Sequence, residues 1–157
     1  MRSPSRPLSA LNLRVPPLAL LAVSAALTWL MPRILPISFT GSRVTAALLA
    51  MSGGFFCVAG LLAFQRAQTT VNPCTPAAST SLVVSGVYRM TRNPMYLGFA
   101  LLLLAFALWL GTLSGLLLVP LFMAYLDHFQ IRPEEEALQA RFGAAFSTYR
   151  QQVRRWL

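Results

Sequence analysis

The sequence predicts an all-α integral membrane protein: a bundle of four transmembrane helices followed by amphipathic cytoplasmic helices. Hydrophobic residues make up 56% of the 157 residues and charged residues only 11%, about half the charged share usual in soluble domains. The apolar residues are concentrated in four segments, and no soluble fold of this size could bury so much apolar side chain. The length fits one domain over residues 1–157.

Each of the four apolar segments is predicted to cross the membrane. They cover about residues 13–30, 44–64, 95–110 and 113–130. The second segment has the roughly 20 residues that a bilayer core requires, whereas the third and fourth together are too long for one span. The small and hydroxyl residues of 111–115 supply the necessary break, so we expect a tight helical hairpin there. The first segment is interpreted as a retained span and not as a cleaved signal peptide, because no small-residue cleavage site precedes Met31.

The positive charges predict the orientation of these spans. All 13 cationic residues are arginine. With four spans, eleven of them lie on the side that holds the N-terminal arm, the loop after the second span and the C-terminal tail, and only Arg33 and Arg43 lie on the other side. The positive-inside rule therefore places both termini in the cytoplasm, in what we expect to be a bacterial inner membrane. The same distribution explains the formal charge of +9 without a nucleic-acid partner.

Several kinds of site are excluded by residue counts. The chain has no lysine, so a Schiff-base or general-base lysine is impossible. One histidine and two distant cysteines, Cys57 and Cys74, give neither a zinc-binding spacing nor a disulfide framework. No glycine-rich loop follows a strand, so a Rossmann nucleotide site is absent, and no metal site is predicted.

The first polar cluster, Gly86–Tyr96, precedes the third span. Asn93 is a favoured helix N-cap and Pro94 a favoured first helical residue, so the helix is expected to begin at Pro94 with its positive dipole end beside Arg92. Such a helix end binds anions well. Arg89 lies three residues before Arg92 and would share its face in a helical approach. The alternative is a plain helix start with interfacial arginines and tyrosines.

The second polar cluster, Glu134–Glu136, follows the fourth span and holds three of the four acidic residues. Pro133 suggests that a helix begins there. Carboxylates this close to a membrane need a partner, which is expected to be Arg89, Arg92 or a cationic ligand. Beyond them an apolar stripe at helical spacing predicts amphipathic tail helices that bend at Gly143; the stripe consists of Leu138, Phe142, Phe146, Tyr149, Val153 and Trp156.

Two motifs together carry a resemblance to a known superfamily. Gly-Val-Tyr-Arg at 86–89, followed by Arg-Asn-Pro-Met-Tyr-x-Gly at 92–98, resembles the membrane-embedded methyltransferases. So does Glu-Glu-x-x-Leu at 134–138 with Phe-Gly-x-x-Phe-x-x-Tyr at 142–149. That superfamily includes the isoprenylcysteine carboxyl methyltransferases and the phospholipid methyltransferases. The likeness covers about residues 69–156.

The resemblance implies S-adenosylmethionine as methyl donor and a lipid or lipophilic small molecule as acceptor. It implies a cofactor-binding C-terminal half over about residues 69–156. A donor with a sulfonium, an ammonium and a carboxylate would be held by both acidic and basic side chains. We therefore predict catalytic roles for Arg92 and Glu135; donor contacts from Tyr88, Arg92, Asn93, Pro94, Tyr96, Gly98, Glu134 and Glu135; and substrate contacts from Arg89, His128, Phe146 and Tyr149.

The acceptor atom and two other functions stay open at this point. Asn93 replaces the histidine usual in carboxyl methyltransferases, which favours the phospholipid type, whereas the tail motif is closer to the carboxyl type. Carboxyl, amine and thiol acceptors are all compatible. A nicotinamide-dependent membrane reductase is the enzymatic alternative, because sterol reductases share part of the C-terminal pattern. A four-span scaffold or transporter subunit is the non-enzymatic alternative.

Overall fold

The computed structural model describes residues 13, 15–34, 40, 42–67 and 81–157. Cys74, the predicted start of the cofactor-binding half at residue 69 and the N-terminal arm lie outside them. The described chain is all-helical, as predicted. Its helices are α1 (Pro17–Ile34), α2 (Arg43–Arg66), α3 (Pro94–Leu110), α4 (Leu113–Leu126), α5 (Arg132–Phe142) and α6 (Ala144–Gln152), with a 3₁₀ turn at Gly86–Arg89 and a π-helical segment at Asp127–Ile131.

Two of the described helices are long and apolar enough to cross a membrane. One is α2, with 24 residues. The other is a continuous helix of 30 residues, Leu113–Phe142, which joins α4, the π-helical segment and α5. Its uninterrupted apolar part ends at Leu126, and the charged residues, which begin at Asp127, lie beyond it. The apolar helices α1 and α3 are shorter.

The hairpin between α3 and α4 forms where the sequence predicts it. Gly111 adopts a left-handed conformation with φ of 65°, and its N–H bonds to the carbonyl of Leu108. Glycine tolerates this conformation without the steric cost that a Cβ would bring. The chain therefore reverses within two residues, and α4 returns antiparallel to α3.

Pro133 lies in the first turn of α5, as the sequence predicts, but α5 follows the π-helical segment without a break and so continues the 30-residue helix. A proline here removes the N–H that would bond to the carbonyl of Phe129, and its ring crowds that carbonyl. The helix widens in response, and the N–H of Arg132 bonds to the carbonyl of Asp127, five residues back. The carbonyl of Phe129 accepts instead from the N–H of Leu13 at 3.1 Å. The π-helical segment thus accommodates the proline and binds the residues just before α1.

Small residues bring α2 and α3 into close contact. A Cβ on Gly98 would lie 2.5 Å from Sγ of Cys57 and 2.7 Å from the carbonyl oxygen of Gly53. Further along, Gly60 lies against Met95, so the two helices run antiparallel. Any larger side chain at position 98 would force the helices apart.

The contacts of α1 complete the antiparallel order. Near the hairpin, Thr28 lies against Gly115 of α4. At the opposite end, Nε2 of Gln130 donates to the carbonyl of Val15 at 2.8 Å. The start of α1, the end of α2, the start of α3 and the end of α4 are therefore at one end of the molecule. Both polar clusters lie at this end.

Candidate active site

The last five residues, Val153–Leu157, form an extended segment that crosses the start of α3; we call it the C-terminal strap. The carbonyl of Arg154 accepts from the N–H of Arg92 at 2.9 Å. The carbonyl of Arg155 accepts from Oγ1 of Thr91 at 3.1 Å and from Nδ2 of Asn93 at 2.9 Å. Asn93 precedes α3 as predicted, but its amide holds the strap and does not cap the helix.

Arg92 points into the space between the strap and α5. Its Nη1 donates to the carbonyls of Arg150 and Val153 at 3.0 and 2.6 Å. Its Nε and Nη2 donate to Oε1 of Glu135 at 3.2 and 2.8 Å. The two side chains are only 11% and 10% exposed. Residues 43 positions apart are thereby joined in a largely buried ion pair.

Glu135 is bound from a second side by Arg155. The Nε and Nη2 atoms of Arg155 donate to the two carboxylate oxygens at 3.2 and 2.6 Å. Its Nη1 donates to Asp127 at 2.7 Å. Burial alone would raise the pKa of Glu135, but hydrogen bonds and charge from Arg155 and Arg92 outweigh it and lower that pKa. We call these four residues, Arg92, Asp127, Glu135 and Arg155, the arginine clasp.

Glu134 is adjacent in sequence but has a different environment. Its Oε1 accepts a short hydrogen bond, 2.5 Å, from the hydroxyl of Tyr96. No ion pair to Glu134 occurs among the described residues. Burial raises the pKa of Glu134 to about 8, and the charge of Glu135 adds to the rise, although the Tyr96 hydrogen bond opposes it. The free protein therefore holds a proton on this carboxyl at neutral pH.

Four of the predicted donor residues lie together at this end. Arg92, Tyr96, Glu134 and Glu135 form two adjacent contact pairs, and Asn93 joins them through the strap. Pro94 is buried at the first turn of α3. Gly98 instead faces α2, where the close helix contact accounts for its small size.

Tyr88 and Tyr149 bind each other at the edge of this region. The hydroxyl of Tyr149 donates to the carbonyl of Tyr88 at 2.7 Å, which attaches α6 to the 3₁₀ turn. The ring of Tyr88 packs edge-on against Phe64 of α2. Burial raises the pKa of both tyrosines, so neither hydroxyl ionises near neutral pH.

The remaining predicted substrate residues are not gathered around Glu134. Phe146 is buried, with 1% of its surface exposed, and serves the packing of α6. Arg89 and His128 are exposed, and the His128 ring stacks edge-on against Phe129. Arg89 does not share the environment of Arg92, because it lies in the 3₁₀ turn and not on a continuous helix.

Sequence reasoning missed Arg155 and Gln130. Arg155 was counted only as one of the tail arginines that set the topology, and nothing local distinguishes it from its neighbour Arg154. Gln130 is 1% exposed and lies in the π-helical segment; its Oε1 has no hydrogen-bond partner among the described residues. The available sequence signal was an uncharged polar residue at the end of an apolar segment.

Comparison with known proteins bears directly on these two clusters. Residues 42–145, more than half of the chain, match the family model described as phospholipid methyltransferase. The chain belongs to the phospholipid methyltransferase family. The match includes Arg92, Tyr96, Glu134 and Glu135, and it ends before the strap. Membership in this family implies a membrane methyltransferase.

Other comparisons add less about chemistry. An uncharacterized protein of Haemophilus influenzae is 46% identical over 63 residues, which are 40% of this chain and 100% of that protein. No solved structure matches the chain. Within the described residues, no group of three or more histidine, cysteine, aspartate or glutamate side chains could hold a metal ion.

Proposed function

We propose that this member of the phospholipid methyltransferase family uses S-adenosylmethionine to methylate a lipid or lipophilic small molecule at the cytoplasmic face of a bacterial inner membrane. One observation carries the proposal. The two family motifs meet at one end of the helices and leave a half-buried carboxyl, Glu134, without a cation among the described residues. A cationic ligand would favour the ionised form of this carboxyl and pair with it.

The residues at this end fit a donor that carries both signs of charge. Glu134 and Tyr96 would hold its positive part, because a carboxylate and a phenol oxygen both attract a cation. Arg92 has five N–H donors, and the described contacts use four of them. This supports one hydrogen bond from Arg92 to the donor's carboxylate.

When bound, S-adenosylmethionine supplies an electrophilic methyl group on a sulfonium. The chain's own part is to bind, to orient and to exclude water, which together provide most of the rate in a displacement of this kind. Glu134 adds a proton-holding group whose pKa of about 8 lies close to neutral pH. If the acceptor is an amine or a thiol, this carboxylate is a candidate to take up the released proton.

The helix order supports the proposed topology and route for the acceptor. Four antiparallel apolar helices bring the polar clusters to one end, as the arginine distribution requires for cytoplasmic termini. An acceptor with an apolar tail would then enter from the lipid while its polar group meets the charged end. Thiol labelling of Cys74 tests this orientation: a reagent that cannot cross the membrane should fail to label intact cells.

The experiment that tests the function uses labelled donor and purified protein in detergent or vesicles. We expect saturable binding of S-adenosylmethionine and transfer of its methyl label into a total membrane lipid extract, but not into a pool of water-soluble metabolites. Label confined to hydrophilic products would contradict the lipophilic acceptor. Absence of donor binding, together with oxidation of a reduced nicotinamide cofactor, would instead support the reductase alternative. Neither binding nor turnover would support a scaffold.

A further inference from the structure

Arg155 is the residue on which separate parts of the polar end converge. Its side chain contacts Glu135 of α5 and Asp127 of the π-helical segment, at 2.6–3.2 Å. Its carbonyl accepts hydrogen bonds from Thr91 and Asn93, just before α3. Arg155 lies beyond the residues that match the family, so the match assigns it no role.

Replacement of Arg155 by another cation would not reproduce these contacts. Glu135 receives two N–H groups from the planar guanidinium fork, one on each oxygen, while a third N–H reaches Asp127. A lysine ammonium is a point charge on a flexible stem and cannot hold this planar geometry. The neighbour Arg154 is exposed and contributes its backbone carbonyl alone to the described hydrogen bonds.

The position of Glu135 affects both Arg92 and Glu134. Arg92 shares Oε1 of Glu135 with Arg155, so a shift of this carboxylate would move Arg92. Glu134 senses the negative charge of Glu135, and that charge is balanced by Arg92 and Arg155. The other charged group of the clasp is Asp127, which contacts Arg155 and the exposed Arg132.

We propose that Arg155 is a positioning residue of the donor site, which fixes Glu135 and Arg92 and holds the strap across the start of α3. This inference rests on the proposed function, because it assigns Arg155 to the site where S-adenosylmethionine binds. Arg155 acts through Glu135 and Arg92 and is not assigned a contact with the donor.

Calorimetric titration of S-adenosylmethionine tests the proposal in four proteins: wild type, Arg155→Gln, Arg155→Lys and Arg154→Gln. Arg155→Gln should raise the Kd about tenfold or more, because a shift of Glu135 would move Arg92 and cost its charge-assisted contact with the donor. Arg155→Lys should give an intermediate Kd, and Arg154→Gln, which removes the same charge one residue away, should match wild type. As the pH is lowered, the affinity for the donor should begin to fall at a higher pH in Arg155→Gln than in wild type. With less positive charge to balance Glu135, Glu134 takes up its proton more readily.

Hydrogen exchange without donor gives a second readout. The N–H of Arg92 bonds to the carbonyl of Arg154, so it should exchange faster in Arg155→Gln and not in Arg154→Gln. The proposal would be overturned if folded Arg155→Gln had the same Kd, the same pH profile of binding and the same exchange rate at Arg92 as the wild-type protein. If that variant does not fold, wild-type Kd and exchange in Arg155→Lys would overturn it. If the wild-type protein does not bind the donor, both the proposed function and this inference are contradicted. If the wild-type protein binds it and Arg155→Gln binds it equally well, only this inference is contradicted.

Discussion

Glu134 and Glu135 are consecutive residues on α5, yet their surroundings differ in charge balance. Glu135 is bound by two arginines inside the arginine clasp, whereas Glu134 is bound by the neutral hydroxyl of Tyr96. The pKa of Glu135 is lowered and that of Glu134 is raised to about 8. Adjacent carboxyls whose pKa values are pushed apart in this way serve different purposes. Glu135 is held in ion pairs with Arg92 and Arg155, and we propose that Glu134 receives the cationic part of the donor.

The largest effect should come from breaking the clasp. Arg92→Ala removes four hydrogen bonds and leaves the carbonyls of Arg150 and Val153 without their partner. We expect a loss of about 3 kcal/mol in the free energy of unfolding, the lower end of the range for removing one partner of a buried ion pair, since Arg155 still contacts Glu135. Donor affinity should fall as well. Thermal unfolding in detergent measures the first effect.

Arg89→Ala is the matched control for this variant. It removes the same charge from an exposed position in the adjacent 3₁₀ turn, so its unfolding midpoint should stay near that of wild type. Equal destabilisation by the two variants would mean that the clasp contributes nothing specific to stability.

The pH dependence of stability should separate Glu134 from Glu135. The folded-state pKa of Glu134 is raised from an ordinary 4.5 to about 8, so the folded protein binds this proton more tightly than the unfolded chain. The resulting stability is fully present below the ordinary pKa and is lost as pH rises through about 8. Glu134→Gln cannot lose a proton, and it should therefore be relatively more stable than wild type at pH 9 than at pH 5.

Thermal melts of wild type and Glu134→Gln across this pH range check the expectation. In Glu135→Gln the change in stability relative to wild type should depend on pH in the opposite direction. The lowered pKa of Glu135 stabilises the folded protein above the ordinary carboxyl pKa, so this variant should lose more stability at neutral pH than at pH 3–4. Parallel pH profiles for the two variants would contradict the distinction between the carboxyls.

The smallest effect is expected at the exposed edge of the clasp. Arg132 contacts Asp127 at 3.1 Å, but its side chain is 56% exposed. Exposed ion pairs contribute about 0–1 kcal/mol, so Arg132→Gln should change the free energy of unfolding by less than about 1 kcal/mol. A larger loss would indicate that Asp127 depends on both arginines.

The sequence predicted most of the helices but only part of the site. Apolar runs and the small residues near Gly111 predicted the hairpin, because length and turn chemistry are local properties. The sequence predicted Arg89, Arg92 or a cationic ligand as partner of the acidic cluster, and the structure shows Arg92 paired with Glu135. The continuous helix through Pro133 was not predicted, since the compensating contact between Leu13 and Phe129 joins distant parts of the chain. Arg155 was not predicted either, because its side-chain partners Glu135 and Asp127 are 20 and 28 residues away in the sequence.

The most direct test of the account compares S-adenosylmethionine binding by Glu134→Gln and Glu136→Gln. Glutamine keeps the size of Glu134 and can still accept from Tyr96, but it carries no charge for a cationic donor. Glu136, two positions away on the same helix, is exposed and provides the matched control. We predict a Kd about ten- to a hundredfold higher for Glu134→Gln, with a folded protein, and a wild-type Kd for Glu136→Gln. Equal affinities in the two variants would contradict the assignment of Glu134 to the donor site.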